Sequence, residues 1–368
     1  MTPFPPASCP RLIVKIGSAL LVDGAGAVRR GWLAGVAADI ATRVAAGQQV
    51  AVVSSGAIAL GAQRLGLGKG GRASLEDAQA AAAVGQIALA GIWAELLAGH
   101  GLTAAQMLLT LDDLEDRRRY LNASATLDRL MTLGAVPVIN ENDSVATEEI
   151  RFGDNDRLAA RVAQAAGARG VILLSDIDGL YDRNPADARA VHIARIERID
   201  AGIEAMADTG SASGMGSGGM VSKIAAARIA GSAGADLIIA SGRIDHPLST
   251  PSRHTLFVAD GGTSARKAWL AGGLTAKGRL TIDAGAVRAL HGGKSLLAAG
   301  VTAVSGTFAR GDVLDIVGPA GQVVARGLAE YAADDATRIV GLGRDAQEAA
   351  LGYAPRSAMV HRDHLVML

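Results

Sequence analysis

The residues best suited to chemistry lie in one short stretch, Asn140-Glu141-Asn142-Asp143-Ser144, followed closely by Gly153-Asp154-Asn155-Asp156. An apolar run, Val136–Ile139, leads into it, and a helical pattern, Arg157–Ala166, leads out. Six Asn, Asp or Glu side chains occupy positions 140–143 and 154–155, and Asp156 is a seventh. So many carboxylates and amides directly after a strand are costly unless they bind something, and open α/β sheets bind ligands outside the carboxyl ends of their strands. On these residues alone the alternative is a solvated loop with Asn-Asp and Gly-Asp turn chemistry.

Two lysines supply the opposite charge. Lys15 lies near the end of an apolar strand pattern, Leu12–Ile16, and leads into Gly17-Ser18. That places an ammonium group where an anion at the sheet edge would sit, although a snorkelling lysine reads the same way. Lys223 ends the loop Gly214-Met215-Gly216-Ser217-Gly218-Gly219-Met220-Val221-Ser222-Lys223 and opens a helical pattern, Ser222–Ala233. Gly214, Gly216 and Gly219 match G-x-G-x-x-G formally, but that fingerprint belongs directly after a strand, and Ile203–Thr209 reads as helical or irregular. No Gly-Lys-Ser/Thr follows at Walker spacing either. The physics still favours an anion, because glycines expose backbone N–H groups and a helix N-terminus adds positive potential. Ser54-Ser55-Gly56 also ends a strand pattern and opens a helix, and reads either as an N-cap or as a donor set for a carboxylate or phosphate. His192, His246 and His254 have no partners at metal-ligand spacing and read as structural or exposed. Lysines, glycine loops and carboxylates gathered at strand ends form the set that phosphoryl transfer needs. The residues therefore point to an α/β kinase without a Walker loop.

The elements that must position this set alternate. Strand patterns at Leu12–Ile16, Gln49–Val53, Ala104–Leu109, Val136–Ile139, Val171–Leu174 and Leu237–Ala240 are separated by helical patterns at Gly31–Ala46, Ala57–Leu65, Leu75–Ala98, Arg117–Leu133 and Arg157–Ala166. Such alternation predicts βαβ units and a mostly parallel sheet. Gly66–Ser74 is a second Gly-rich loop, carrying Lys69 and Arg72, and Asp176–Tyr181 with Asn184-Pro185 reads as a hairpin or lid. Asp260–Gly278 reads as a linker. Beyond it, short β patterns at Leu280–Ile282, Val301–Val304, Val313–Ile316, Val323–Gly327 and Arg338–Val340 predict a small, separate, mainly-β domain.

At 368 residues two domains are expected, and 49 % hydrophobic residues suffice for a sizeable core. Lys+Arg and Asp+Glu are both 36, so the charge balance favours neither nucleic acid nor a membrane surface as main partner. The single cysteine, Cys9, excludes an intrachain disulfide and suits the reducing cytoplasm. Met1–Pro10 has four prolines and no apolar run, so no signal peptide is expected there. Ala78–Ala94 carries Gln79 and Gln86 between Asp77 and Glu95 and reads as a buried helix, not a bilayer span.

At these same residues the chain resembles the amino acid kinase family, and within it the branch that phosphorylates glutamate at the head of proline biosynthesis. The resemblance rests on Val14–Ser18, Val53–Ile58, Gln106–Thr110, Val136–Asp143, Gly153–Asp156, Asp176–Pro185 and Gly218-Gly219-Met220-x-x-Lys223, and spans about residues 11–362. The tail resembles the PUA domain attached to many members. The family often has Thr at the positions of Ser54 and Ser175; Ser keeps the hydroxyl. The resemblance implies a three-layer α/β/α sandwich over 1–260, a linker at 261–277 and a PUA-like β domain over 278–362. It implies transfer of the ATP γ-phosphoryl group to the γ-carboxylate of L-glutamate, with Mg²⁺. It makes Lys15 and Lys223 the lysines that stabilise the transferring group and Asp156 the residue that orients both. Ser55, Asp143 and Asn155 become glutamate ligands. Lys15, Ser175, Asp176 and Ser217, Gly218, Gly219, Met220, Val221, Ser222, Lys223 become the ATP site. A homo-oligomer, dimer or tetramer, and feedback inhibition by proline come with the resemblance too. Aspartate and N-acetylglutamate kinases are alternatives within the family. PUA domains also accompany RNA chemistry, but residues 278–368 carry nine Lys/Arg against nine Asp/Glu, which lacks the basic excess of an RNA binder.

Overall fold

Runs of Val, Ile and Leu pay little to be extended and buried on both faces, and in this chain they become the central strands of one sheet. The computed structural model describes residues 3–23, 27–145, 154–208, 219–250, 252–259 and 276–368. In the N-terminal part the strands are β1 (Arg11–Ile16), β2 (Gln49–Ser54), β3 (Ala104–Leu109), β4 (Val136–Glu141), β5 (Gly170–Ser175), β6 (Leu180–Tyr181), β7 (His192–Ile193), β8 (Arg195–Ile196), β9 (Asp236–Ser241) and β10 (His254–Phe257). The helices are α1 (Ser18–Leu21), α2 (Arg30–Ala45), α3 (Ala57–Leu65), α4 (Leu75–Ala98), α5 (Leu111–Glu115), α6 (Arg117–Thr132), α7 (Asp154–Ala166), α8 (Ala201–Asp208) and α9 (Met220–Ser232).

Among the described residues, eight of these strands form a sheet in the order β3-β4-β2-β1-β5-β9-β10-β8. Pairing is parallel from β3 through β9, and β10 runs antiparallel to β9. Period-two alternation sorts the strand side chains. Ile13, Val53, Ile139, Leu173 and Ile239 join α6, α7 and α9 on one face. Leu12, Val14, Val52, Val138, Ile172 and Ile238 join α2, α3 and α4 on the other. The result is an α/β/α sandwich with a mostly parallel sheet. From β1 the chain turns one way to β2 and later the other way to β5, which puts a topological switch point at the carboxyl ends of β1 and β5, the expected place for a ligand. β6 and β7 form the anticipated hairpin.

α4 is long and apolar enough to cross a membrane by composition. One face of it packs in the sandwich, with Trp93 fully buried and its indole N–H donating to the Ser54 hydroxyl at 3.0 Å, while Ile87 on the same helix is exposed, so the buried helix expected here is buried on one face only.

The chain divides into two compact units, Met1–Gly262 and Thr263–Leu368. The expected linker falls largely on 260–275, outside the described residues. The second unit holds β11 (Gly278–Ile282), β12 (Val301–Gly306), β13 (Val313–Val317), β14 (Val323–Leu328) and β15 (Leu365–Met367) in the order β12-β11-β13-β14-β15. It has its own core, built on Leu280, Ile282, Leu314, Ile316, Ala325 and Val360. The strand expected at Arg338–Val340 is absent. Arg338 ends a helix, Ala333–Arg338, and Ile339 is fully buried just past it. One apolar residue anchoring a helix end reads, over three positions, like a β run.

Within this unit Glu330 sits between Arg310, 3.3 Å away, and His364, 3.6 Å away. Burial alone would raise its carboxyl group, but the hydrogen bond to His364 and the Arg310 charge outweigh that and hold it below the ordinary glutamate value. A carboxylate depressed in the folded state stabilises the fold above its unfolded value, about 4.3, and loses that contribution as pH falls through the folded one. Calorimetry of the full chain is therefore expected to show the C-terminal transition falling in temperature below about pH 4. Glu330→Gln should flatten that acid dependence; an unaltered acid slope would contradict the role assigned to the cluster.

Candidate active site

The site begins with a lysine that an apolar strand cannot otherwise tolerate. Lys15 lies on β1 one residue from its end, flanked by the parallel neighbours β2 and β5, and is 7 % exposed. Its Nζ meets Asp156 Oδ1 at 2.5 Å. Asp156 lies in the first turn of α7, where the helix dipole favours a negative charge, and is fully buried. Its second oxygen, Oδ2, accepts from Lys223 Nζ at 3.0 Å. Lys223 lies in the first turn of α9, whose N-cap is Gly219, and is 6 % exposed. One carboxylate thus bridges two lysines that are distant in sequence.

Burial, the largest influence on the Lys15 ammonium group, lowers its basicity, and attraction to Asp156 only partly restores it. Burial would raise the Asp156 carboxyl group, but the two lysines outweigh it and hold it below the usual aspartate value. Two buried ammonium groups share the one carboxylate that bridges them in a low-dielectric pocket. Such a site favours an arriving anion, above all one whose charge grows during reaction.

Beside this triad lies a polar network. The Asn155 amide donates to the Ser55 hydroxyl at 2.7 Å and to Asn140 Oδ1 at 3.2 Å. Asn140 in turn donates to Gln86 Oε1 on α4 at 2.9 Å. Gly56, directly after Ser55, holds φ +115°, which a side chain would resist, so the chain turns sharply from β2 into α3 and leaves Ser55 at the sheet edge. Asn155 Oδ1 is buried without a hydrogen-bond partner among the described residues. An unpaired buried acceptor costs about 1–3 kcal/mol, which a donor such as an ammonium group would recover. Asp143 follows β4 by two residues; burial lowers the basicity of the Arg72 guanidinium and the Asp143 charge partly offsets that.

At the other side of β1, the Ser175 hydroxyl donates to Asp176 Oδ1 at 3.1 Å where β5 ends. Asp176 acts electrostatically on Lys15, and Arg243 approaches its Oδ2 at 3.9 Å. Gly219, Met220, Val221 and Ser222 form the start of α9, leading to Lys223. Gly153, Gly214, Gly216, Ser217 and Gly218 lie outside the described residues, as does the side chain of Asp154. Among the described residues, no group of His, Cys, Asp or Glu makes a metal cage.

Gln86 is a supporting residue that pattern reading missed, and Asn140 stood in the polar stretch singled out for chemistry but without a role of its own. The available signal was a glutamine inside an otherwise apolar helix, and an asparagine where a strand would already have ended.

The sequence model of the amino acid kinase family matches residues 10–241, and that of the PUA domain matches residues 278–348. A glutamate 5-kinase of Sphingopyxis alaskensis is 83% identical over 368 residues, covering 100% of each chain. One of Novosphingobium aromaticivorans is 61% identical over 365 residues, covering 98% of this chain and 97% of that one. The structure of a carbamate kinase from Giardia lamblia bound to AMP-PNP superimposes with a TM-score of 0.50 at 14% identity, over 68% of this chain and 99% of that one, a likeness of fold. With its sandwich, its two-lysine, one-aspartate centre at the sheet's switch point and these full-length relatives, the chain belongs to the amino acid kinase family.

Proposed function

We propose that this protein transfers the γ-phosphoryl group of ATP to the γ-carboxylate of L-glutamate, giving L-glutamyl 5-phosphate and ADP as the first step of proline biosynthesis. The observation that carries the reading is the Lys15–Asp156–Lys223 triad, joined to full-length similarity to proteins named for that reaction. A carboxylate oxygen attacks the γ-phosphorus, the bond to the β,γ-bridging oxygen breaks, and ADP leaves. The nucleophile is already ionised, so no general base is needed. Rate comes from holding the oxygen in line and from neutralising charge on the transferring group.

In this reading Lys15 and Lys223 stabilise that group and Asp156 keeps them in register. Ser55, Asn155 and Asp143 hold glutamate, Asp143 by its α-ammonium group. Ser175, Asp176 and the start of α9 hold the nucleotide. When bound, Mg²⁺ would neutralise the β- and γ-oxygens; such an ion needs only one or two protein carboxylates besides the phosphates. Asp176, at the mouth of the site, is the described carboxylate that fits. Proline feedback, assembly into a homo-oligomer and a cytoplasmic setting belong to the same proposal.

The test is a panel of amino acids with ATP and Mg²⁺, following ADP release and trapping acyl phosphate with hydroxylamine. L-Glutamate should give the hydroxamate; a preference for aspartate or N-acetylglutamate would move the assignment to another branch. Asp143→Ala and Asn155→Ala should each raise the glutamate KM at least about tenfold, the scale of one charge-assisted contact, with the ATP KM nearly unchanged. A rise in the ATP KM instead would show that the two halves of the site are reversed.

Every residue placed in the site lies between Lys15 and Lys223, inside the first compact unit. We therefore also propose that the catalytic domain is separable. Residues 1–275 alone should form ADP in a glutamate-dependent way at a rate comparable with the full chain. A truncated protein that is folded yet inactive would show that the β domain completes the site.

A further inference from the structure

The loop after β9 has been given no role so far, yet it runs along the same sheet edge as the site. β9 pairs with β5 in register, Ser241 opposite Ser175, and the Gly242 N–H donates to the Ser175 carbonyl at 2.7 Å. A Cβ at Gly242 would fall 2.3 Å from Leu20 Cδ1, so the backbone leaves β9 pressed onto α1. Arg243 follows, its backbone N–H donating to the Ser241 hydroxyl at 3.2 Å. The carbonyl of the next residue, Ile244, accepts from the indole N–H of the buried Trp32 at 3.1 Å. Further on, Asp39 of α2, 2 % exposed, accepts from the Leu248 N–H at 3.0 Å and the Ser249 hydroxyl at 2.7 Å, and meets His246 Nδ1 at 3.0 Å. The Arg243 backbone is thus anchored on both sides.

The side chain is held far less. Arg243 Nη2 lies 3.9 Å from Asp176 Oδ2, and the arginine side chain is 68 % exposed. An exposed pair of this kind contributes little to stability, so the fold gains little from placing a guanidinium group there. Its position matters more. The carboxyl ends of three adjacent parallel strands carry Lys15 on β1, Asp176 after β5 and Arg243 after β9, in alternating charge. Lys15 and Lys223 both converge on Asp156. Arg243 adds a cation beyond them, on the far side of Asp176.

A nucleoside triphosphate carries charge along its whole phosphate chain. Under the reading above, the γ-phosphoryl group goes to Lys15 and Lys223, and the nucleotide extends past Ser175 and Asp176. A phosphate there meets the Asp176 carboxylate, a like charge, unless a cation beside it offsets the repulsion. We propose that Arg243 binds the phosphates that remain behind as ADP, its side chain turning from Asp176 to the nucleotide on an anchored backbone. The assignment rests on the proposed glutamate kinase activity. A guanidinium group presents a planar fork that matches phosphate oxygens. ATP and ADP both carry these phosphates, so the contact holds substrate and product alike and acts on affinity, not on the transferring group.

The test uses the full chain with Mg²⁺. Titration calorimetry follows ADP, with adenosine as its competitor, beside steady-state kinetics with ATP and L-glutamate. Arg243→Ala should weaken ADP by about tenfold and raise the ATP KM by about the same factor, the scale of one charge-assisted contact. Adenosine, which has no phosphate, should bind the variant as it binds the wild type, and the glutamate KM should not change. Arg243→Lys, which keeps the charge without the fork, should fall between. Added salt should cost the wild type more ADP affinity than Arg243→Ala, because an exposed ionic contact is screened. If Arg243→Ala does not fold, the ratio of ADP to adenosine affinity in Arg243→Lys carries the test. Unchanged ADP affinity in the folded variant, or equal weakening of ADP and adenosine, overturns the role of Arg243 alone. A wild type that binds ADP but does not phosphorylate L-glutamate overturns the proposed activity, and ADP binding still decides the role of Arg243.

Discussion

Asp156→Asn should cost both the fold and the chemistry. The substitution leaves Lys15 and Lys223 buried side by side without the carboxylate that bridges them at 2.5 and 3.0 Å. Removing one partner of a buried ionic group is destabilising by about 3–5 kcal/mol, since the remaining charges stay desolvated without the carboxylate that bridges them. Here two like charges remain, so the effect should lie at the upper end. The carboxamide can still accept from one lysine, but it supplies no charge, and the pair loses its register on the phosphoryl group. Urea unfolding should shift markedly, and kcat should fall by at least about 10²-fold. A variant with wild-type stability would show that the triad is not a coupled unit.

Lys15→Ala and Lys223→Ala should do the reverse, sparing stability while removing rate. Each variant leaves Asp156 paired one-to-one with the other lysine, so no buried charge is orphaned. What disappears is one preorganised cation at the transferring group. Such a loss costs about 10²–10³ in kcat, or about 3–4 kcal/mol of transition-state stabilisation. Burial lowers the basicity of Lys15, so the alkaline limb of the wild-type kcat profile should fall below the ordinary lysine value of about 10.4. Steady-state kinetics over pH, beside thermal melts, check both statements. Wild-type kcat in either variant would remove that lysine from the mechanism.

Much of this centre was legible from residue types at element boundaries. A lysine ending an apolar strand and another opening a helix after glycines are both anomalous unless they meet an anion. The anion they meet first is Asp156, from the polar stretch that stood out on composition alone. Residue types and spacing did not show the convergence of positions 15, 156 and 223, which depends on the order of the strands in the sheet; that expectation came with the family resemblance. The Gln86–Asn140–Asn155–Ser55 chain was hidden for the same reason: each link crosses between elements. Boundaries followed local punctuation. Ala57–Leu65 lies between two glycines, and its ends agree with the sequence reading. β4 instead continues to Glu141 because Asn140 and Glu141 pair with Leu108 and Leu109 of β3, a tertiary contact that outweighs their polarity. Arg338–Val340 failed in the opposite sense, its apolar residues serving a helix end.

In the proposed reaction a substrate carboxylate is itself the nucleophile toward ATP at the Lys15–Asp156–Lys223 centre. The most direct measurement uses L-glutamate labelled with ¹⁸O in both oxygens of its γ-carboxylate, turned over with ATP in the presence of hydroxylamine. Hydroxylamine attacks the acyl carbon and releases phosphate with the bridging oxygen attached. One ¹⁸O is expected in each released phosphate, lost together with turnover in Lys223→Ala. Unlabelled phosphate from the wild-type protein would mean that water attacks ATP and that the substrate carboxylate is not the nucleophile.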